Sequence, residues 1–200
     1  MFYRIAASIV RGFFKLIYRV EVEGIDKIPV NKGFIVAPNH LSNLDPPILG
    51  VFLPLRMSYM AKEELFKIPL FGRLIRALGA FPVKRGGKDL AAIKTAVSLL
   101  KSGKCIMIFP EGKRSRTPGV LSEGKQGTVM IAAKAGVGIL PVGINASYRP
   151  WSKIKIQIGD LIDFSEYGER KLSSEEMHKI TNEMLMPQIA CLSGAKLYGN

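Results

Sequence analysis

Two residues in the segment His40-Leu41-Ser42-Asn43-Leu44-Asp45 have the types and the spacing of an acid–base pair. His40 follows a short apolar run and Asp45 opens another, so a non-helical turn between the runs can bring the two side chains together. A carboxylate bonded to one imidazole nitrogen fixes the tautomer and leaves the other nitrogen free to accept a proton. The spacing therefore predicts a general base that works without a protein nucleophile. The simpler interpretation is a histidine and an aspartate that only close a turn.

A second candidate site is the basic, glycine-containing segment Phe109-Pro110-Glu111-Gly112-Lys113-Arg114-Ser115, which also follows an apolar run. Glycine lets a ligand approach the backbone, and Arg114 carries a guanidinium that can hold a phosphate through two hydrogen bonds. Lys84 and Arg85 follow a third apolar run and could add to the same basic surface. For Lys84 and Lys113 taken singly, a solvated surface position is the simpler interpretation.

The segment Gly119–Gln126 is close to a nucleotide-binding phosphate loop, with glycines and Lys125 at the required spacing. Gln126 stands where such a loop needs a hydroxyl residue for Mg²⁺, so nucleotide hydrolysis is not expected. Lys125 instead precedes a predicted helix and can add to a phosphate-facing surface.

Short apolar runs alternate with helical patterns along the whole chain, and each candidate segment follows such a run. Strands are predicted at 20–24, 33–37, 57–60, 81–83, 105–109, 139–145 and 153–158. Helices are predicted at 45–53 with Asp45 as N-cap, 69–78, 89–101, 126–135 and from 173 to a kink or end at Pro187. This alternation, without an internal repeat or linker, predicts a single α/β sandwich with a mixed sheet flanked by helices.

Residues 1–20 predict an amphipathic helix without any acidic residue. At 100° per residue, its cations lie within an arc of about 80° and its apolar residues point the other way. The cations are Arg4, Arg11, Lys15 and Arg19, and the apolar residues are Phe2, Ile5, Ile9, Phe13, Ile17 and Val20. Such a helix suits a membrane interface, and its longest uncharged run is too short to span a bilayer. We therefore expect a membrane-interface helix at 1–20 and a globular domain at 21–200, although a helix packed on its own domain would show the same apolar spacing.

The charge balance indicates an anionic partner, because 29 Lys and Arg stand against 16 Asp and Glu. Nucleic acid, acidic lipid headgroups and phosphorylated substrates all fit this charge. No nucleic-acid-binding motif is recognisable, so nucleic acid is not expected as a partner. The two cysteines have no metal-binding spacing, so neither a disulfide framework nor a metal site is predicted.

Four blocks in order make the chain similar to the glycerolipid acyltransferase family, and most similar to its bacterial 1-acylglycerol-3-phosphate acyltransferases. They are His40 and Asp45 with four residues between them, Val83-Lys84-Arg85, Phe109 to Ser115, and Leu140-Pro141-Val142. The blocks cover roughly residues 34–145, and their order and spacing are much more specific than any one of them.

This resemblance implies an α/β acyltransferase fold and transfer of a fatty acyl group from an acyl carrier protein or coenzyme A thioester. The thioester is a co-substrate, so no cofactor is expected. The implied acceptor is the sn-2 hydroxyl of lysophosphatidic acid, which gives phosphatidic acid in phospholipid biosynthesis at the cytoplasmic face of the cell membrane. Another lysophospholipid acceptor is the first alternative, and a non-catalytic lipid- or nucleic-acid-binding basic domain is the alternative of a different class.

The same resemblance implies roles for single residues. His40 corresponds to the catalytic base and Asp45 to its charge partner. The positions implied to bind the acceptor's glycerol phosphate, or to border the substrate pocket, are Arg85, Glu111, Gly112, Arg114 and Pro141, with Lys84 and Lys113 beside them. The family usually has threonine at Lys113 and an acid or amide at Lys84, so both departures add positive charge near the phosphate and leave the pair His40–Asp45 unchanged.

Overall fold

The computed structural model describes residues 2–83, 89–115, 117–164 and 171–198. Its strands are β1 (Arg19–Glu23), β2 (Ile35–Pro38), β3 (Met57–Lys62), β4 (Ala80–Val83), β5 (Cys105–Met107), β6 (Val120–Leu121), β7 (Ile139–Ala146), β8 (Lys153–Ile158) and β9 (Lys196–Leu197). Its helices are α1 (Phe2–Ile17), α2 (Asp45–Phe52), α3 (Phe71–Ala77), α4 (Leu90–Lys101), α5 (Gly127–Ala135), α6 (Ser174–Lys179) and α7 (Met186–Ser193). Short 3₁₀ turns lie at Ile25–Lys27 and Glu63–Lys67, and Ile180–Leu185 is π-helical.

A seven-stranded mixed sheet, in the order β1-β8-β7-β2-β5-β3-β4, forms the centre of the molecule. The five strands from β7 to β4 are parallel, β8 pairs antiparallel with β7, and β1 pairs parallel with β8. The carboxyl ends of β7, β2, β5 and β3 therefore meet at one edge of the sheet, which we call the carboxyl edge. Both candidate segments leave the sheet there, since His40 follows β2 and Phe109 follows β5.

Helices cover both faces of the sheet, which explains why the central strands are apolar on both sides. Val36 of β2 packs in a core with α1 and α2, whereas its neighbours Ile35 and Ala37 pack in a second core with α4, α5 and α7. In β8, the predicted alternation is present because Ile154, Ile156 and Ile158 are buried between more exposed polar residues. The predicted α/β sandwich with a mixed sheet flanked by helices is confirmed.

Helix α1 has three faces where the sequence predicted two. Val10, Phe14 and Ile17 pack against the core, and Phe14 is the buried residue among them. A separate apolar face points to solvent, and it consists of Ile5, Ile9, Phe13 and Leu16, with exposed fractions of 52%, 68%, 57% and 67%. Across the described ranges, no helix has the length and apolar character needed to cross a bilayer.

The last helical region differs from the predicted kink or end at Pro187. Helix α6 begins with the predicted capping box between Ser173 and Glu176, and the chain then widens into the π-helical stretch before α7. Pro187 lies in the first turn of α7, where its missing N–H costs little. Helical structure therefore continues to Ser193 because a wider turn, and not a break, accommodates the proline.

Candidate active site

The turn after β2 brings His40 and Asp45 into contact. His40 Nδ1 lies 2.8 Å from Asp45 Oδ2, and the Asp45 side chain is fully buried while the His40 side chain is 12% exposed. Because the carboxylate accepts from Nδ1–H, Nε2 is the nitrogen that can take a proton. The convergence predicted from the spacing is therefore present, and it gives an oriented imidazole close to the surface.

Asp45 is held by the turn that precedes it. Its Oδ2 atom accepts hydrogen bonds from the backbone N–H groups of Leu41 and Ser42, at 2.7 and 2.8 Å. Asp45 is the first residue of α2 and Leu44 is the N-cap, so the sequence-based assignment of Asp45 as N-cap was off by one position. The carboxylate points back to the turn instead of capping the helix, and this is what lets it reach the imidazole.

The other side of the imidazole is covered by Phe109. The two rings stack with centroids 3.9 Å apart and an interplanar angle of 23°. Phe109 is the first residue of the segment after β5, so the two candidate segments meet at the histidine. Stacking against a flat apolar ring restricts rotation of the imidazole, and the hydrogen bond to Asp45 fixes its remaining orientation.

Glu111 ties the two segments together through the backbone. Its carboxylate is fully buried and accepts hydrogen bonds from the N–H of His40 at 2.9 Å and from the N–H of Ser122 at 2.8 Å. Burial raises the pKa of the Glu111 carboxyl, and the two N–H groups and the nearby His40 act in the opposite direction. The structure thus places Glu111 behind His40, with both oxygens already engaged by main-chain donors.

Exposed cations gather around Gly112. Lys113 and Arg114 are exposed in the segment itself, and the Lys125 N–H donates to the carbonyl of Pro110 at 2.8 Å. Gly112 has φ of 67°, a backbone conformation that favours glycine, and the Lys125 side chain passes close to it, since a side chain at this position would lie 3.0 Å from Lys125 Cδ. The result is a positively charged loop next to the histidine, with Lys125 joining the residues predicted from the third block.

A model of the acyltransferase family matches residues 19–145, which contain the His40–Asp45 pair, the loop after β5 and most of β7. The chain belongs to the acyltransferase family. The resemblance inferred from the four sequence blocks is confirmed.

Individual acyltransferases are similar over most of the chain. The 1-acyl-sn-glycerol-3-phosphate acyltransferase of Bacillus subtilis is 31% identical over 197 residues, which cover 94% of each chain. The crystal structure of the 1-acyl-sn-glycerophosphate (LPA) acyltransferase of Thermotoga maritima superposes with a TM-score of 0.76 at 30% identity, over 95% of this chain and 79% of the other. The lyso-ornithine lipid O-acyltransferase of Pseudomonas aeruginosa is 36% identical over 113 residues, or 56% of this chain and 42% of that one.

Pro141 is the one of the three remaining predicted positions that lies within the described residues. Pro141 is buried within β7, in register with Ala37 of β2, and its carbonyl accepts a hydrogen bond from the N–H of Gly159. It is therefore part of the sheet beneath the carboxyl edge and not of the loop around His40. Lys84 and Arg85 lie outside the described residues.

Sequence reasoning did not identify two further residues that lie around the His40–Asp45 pair. Tyr148, two residues beyond β7, donates its hydroxyl hydrogen to Asp45 Oδ1. Asn39 is buried and exchanges hydrogen bonds of 3.0 and 2.7 Å with the backbone of Ile144, which joins the end of β2 to β7. Asn39 adjoins His40 in sequence, which was the available signal, whereas Tyr148 is 103 residues from Asp45 and no spacing pattern marks it.

Proposed function

We propose that this acyltransferase moves a fatty acyl group from a thioester of acyl carrier protein or coenzyme A to the sn-2 hydroxyl of lysophosphatidic acid, forming phosphatidic acid. The observation that carries the proposal is the contact between His40 and Asp45 beside a positively charged loop, in a chain that belongs to this family. The similarity to 1-acyl-sn-glycerol-3-phosphate acyltransferases over nearly the full length supports the choice of acceptor.

In the proposed reaction, His40 Nε2 accepts the proton of the lipid hydroxyl as that oxygen attacks the thioester carbonyl carbon. Asp45 stabilises the imidazolium that forms, because its carboxylate remains bonded to Nδ1–H. The new C–O bond forms and the C–S bond breaks. His40 then gives its proton to the departing sulfur, which leaves as the free thiol of the carrier. No acyl-enzyme is needed, since the acceptor oxygen is itself the nucleophile.

The acceptor phosphate is proposed to bind at the loop after β5. Arg114, Lys113 and Lys125 supply positive charge there, and Arg114 can bind a phosphate through two hydrogen bonds. Holding the phosphate fixes the hydroxyl near His40 and turns an encounter of two molecules into a reaction within one complex. Glu111 supports this site indirectly by holding the backbone of His40.

The domain is proposed to work at the cytoplasmic face of the cell membrane, with residues 1–20 lying in the membrane interface. The solvent-exposed apolar face of α1 supports this, because Ile5, Ile9, Phe13 and Leu16 have no core to pack against and adjoin the basic arc of the same helix. Membrane binding would place the enzyme where its lipid acceptor and product reside.

The test is thioester consumption by the purified protein with a panel of acceptors that contains lysophosphatidic acid, other lysophospholipids and lyso-ornithine lipid. We expect consumption that depends on lysophosphatidic acid, with phosphatidic acid identified by mass spectrometry. Consumption only with lyso-ornithine lipid would instead favour the activity named for the Pseudomonas aeruginosa relative. Absence of acceptor-dependent consumption would refute acyl transfer.

Replacing the base should abolish the chemistry without unfolding the protein. His40→Ala is expected to lower turnover by about 10²–10⁴-fold, which is the usual contribution of general base catalysis. His178→Ala is the matched control, because this second histidine is 53% exposed on α6. Near-wild-type turnover in His40→Ala, at an unchanged melting temperature, would end the proposed mechanism.

The phosphate site has its own test. Arg114→Ala should raise the KM for lysophosphatidic acid about ten-fold or more, because a charge-assisted hydrogen bond is lost, and should leave the KM for the thioester unchanged. Lys134→Ala, which removes an exposed cation in the last turn of α5, serves as the control for net charge. An unaltered acceptor KM in Arg114→Ala would remove this residue from the phosphate site.

A further inference from the structure

The segment after β3 exposes an unusual amount of apolar surface. Ile68, Pro69, Leu70 and Phe71 are four consecutive exposed residues, and Leu70 is 77% exposed. Leu74, one turn along α3, is also exposed. We call the apolar side chains of Ile68, Leu70, Phe71 and Leu74, together with the cations Lys67, Arg73 and Arg76, the α3 patch. Runs of this kind are avoided on a water-facing surface unless something binds to them.

Helix α3 is short and buries little apolar surface, so its own contacts stabilise it weakly. It is seven residues long and its only buried residue is Gly72, which has no side chain to place in the core. Its main contacts are with β4 and the neighbouring turn Glu63–Lys67. A helix of this length is marginal in water unless an apolar face is buried, and here that face points outward. Among the described residues, no other element covers this apolar face.

The backbone holds Leu70 in an outward position. Leu70 has φ of 63° and ψ of −50°, and the N–H of Phe71 bonds to the carbonyl of Pro69 at 2.7 Å, which together form a γ-turn that is strained for a leucine. A side chain at Gly72 would collide with the carbonyl oxygen of Phe66, so the turn is also closely packed from behind. Strain of this kind persists where the surroundings fix it, and it is concentrated at functional positions.

The three charged side chains within the α3 patch are all cationic, and the acidic residues nearest to it in the sequence are Glu63 and Glu64 of the preceding turn. The sequence from 65 to 88 contains no acidic residue, while Lys67, Arg73 and Arg76 are exposed within the patch. Within the described ranges, none of these three cations forms an ion pair, and Arg76 lies over the Phe66 ring at 5.2 Å. Apolar side chains ringed by cations match an anionic lipid surface, where the former enter the acyl boundary and the latter meet phosphates.

The position of the α3 patch relates it to the active site. Strand β3 is parallel to β5 and β2, so the chain leaves β3 at the same carboxyl edge from which His40 and the loop after β5 emerge. The turn Glu63–Lys67 and Leu70 follow directly, before α3 returns toward the start of β4. The segment that carries Leu70 therefore leaves the sheet at the same edge as the segment that carries His40.

We propose that the α3 patch is a membrane-docking surface, distinct from α1, that takes the headgroup and upper acyl region of an anionic bilayer. Docking there would turn the carboxyl edge toward the lipid surface, so a lysophospholipid could reach His40 without leaving the membrane. The delivery of lysophospholipid to His40 rests on the proposed function. The docking of the α3 patch on the bilayer rests only on the exposed apolar residues, the strained turn and the cations. An acidic carrier protein would use the cations, but a leucine at the tip of a strained turn favours the bilayer.

The test is binding of the full-length protein to vesicles of phosphatidylglycerol and phosphatidylcholine, without thioester or acceptor. Leu70→Ser is expected to raise the dissociation constant about ten-fold, the effect of losing one inserted leucine. The double variant Arg73→Gln/Arg76→Gln should weaken binding about five-fold per charge removed, and only for vesicles that contain phosphatidylglycerol. Leu70→Gly repeats the apolar loss with a residue that adopts this backbone without strain, so misfolding cannot explain the result.

Val30→Ser is the matched control, because Val30 is 83% exposed in the segment that precedes β2, at the opposite edge of the sheet. Vesicle binding equal to wild type in Leu70→Ser, Leu70→Gly and the double variant would overturn the proposal. The same result with a raised KM for acyl carrier protein thioester would reassign the α3 patch to the carrier. Reduced vesicle binding in a protein that never acylates lysophosphatidic acid would support the docking surface while refuting the proposed function.

Discussion

Asp45 combines full burial with four hydrogen bonds to its two oxygens. The donors are His40 Nδ1, the N–H groups of Leu41 and Ser42, and the hydroxyl of Tyr148. A buried carboxylate is costly unless its oxygens are satisfied in this way. Because three of the donors are fixed by the turn and by the strand after which Tyr148 lies, the carboxylate has one position, and it therefore gives the imidazole one orientation.

Tyr148 is accordingly a positioning residue for the proposed reaction. It lies in the left-handed region with φ of 55°, and burial, followed by the charge of Asp45, raises the pKa of its hydroxyl, so it stays protonated and donates. Tyr148→Phe should lower kcat about ten-fold or more, since a hydrogen bond to a charged group contributes about 1.5–3 kcal/mol. The KM values for donor and acceptor should change little, because the phenol hydroxyl bonds to Asp45 and acts on the proposed base.

Steady-state kinetics at saturating thioester check this split between kcat and KM. Tyr18→Phe is the control: its hydroxyl donates to the Tyr148 carbonyl at 3.4 Å and its ring meets the Tyr148 ring edge to face, but it does not touch Asp45. An equal fall in kcat in both variants would mean that the aromatic pair matters only for stability.

Sequence alone predicted the contact between His40 and Asp45 because both residues lie in one short turn, where local spacing decides whether side chains meet. It did not locate Tyr148, because that contact depends on the order of β2 and β7 in the sheet and on a left-handed residue beyond β7. It also could not distinguish Glu111 facing a ligand from Glu111 facing the backbone of His40, since both choices use the same residue at the same point in the chain.

Helix α1 shows that the helical repeat of apolar residues can be predicted correctly while the side of the helix that packs on the core stays unknown. The sequence showed one cationic arc and one apolar side, and the structure divides that side between Ile17, which packs against the core, and Ile9 and Phe13, which are exposed. Contacts with α2 make the choice, through the Tyr3 hydroxyl on the Gly50 carbonyl at 3.4 Å and Arg11 over the Phe52 ring at 5.4 Å. Periodicity cannot reveal such contacts because they belong to the tertiary structure.

The two apolar faces of α1 should respond differently to substitution. Phe14→Ala is expected to destabilise the protein by about 3–5 kcal/mol, the usual cost of removing a buried phenyl ring, and denaturant unfolding measures this. Ile9→Ser together with Leu16→Ser should leave unfolding within about 0.5 kcal/mol per site and should weaken sedimentation with anionic vesicles. Retained vesicle binding in the double serine variant would contradict the membrane role of residues 1–20.

Considered as a whole, the molecule has its two hydrophobic cores on the faces of the sheet and its candidate site at one edge of the sheet. The two cores lie on the two faces of the sheet, whereas His40, the loop after β5, Tyr148 and the segment after β3 follow the carboxyl ends of parallel strands. The segments at that edge are nevertheless tied to one core, because Leu41, Phe109 and Tyr148 pack against it. The parallel arrangement could be expected from alternating strands and helices, but the strand order that makes these four segments neighbours could not.

The two cysteines offer a measure of how firmly this central sheet is closed. Cys191 is exposed on α7, while Cys105 is buried in β5 between β2 and β3, and burial raises the pKa of the Cys105 thiol. Because the thiolate is the reactive form, a thiol reagent at neutral pH should modify Cys191 rapidly and Cys105 only when the sheet opens, at least about 10³-fold more slowly for a stability in the usual range. Mass spectrometry of timed samples should show one label per chain in native buffer and two in denaturant, and Cys191→Ser should show none until it unfolds. Rapid labelling of Cys105 in folded Cys191→Ser would mean that β5, the strand that leads into Phe109 and Glu111, opens locally, and the His40–Asp45 pair would then lack the rigid support on which the proposed mechanism depends.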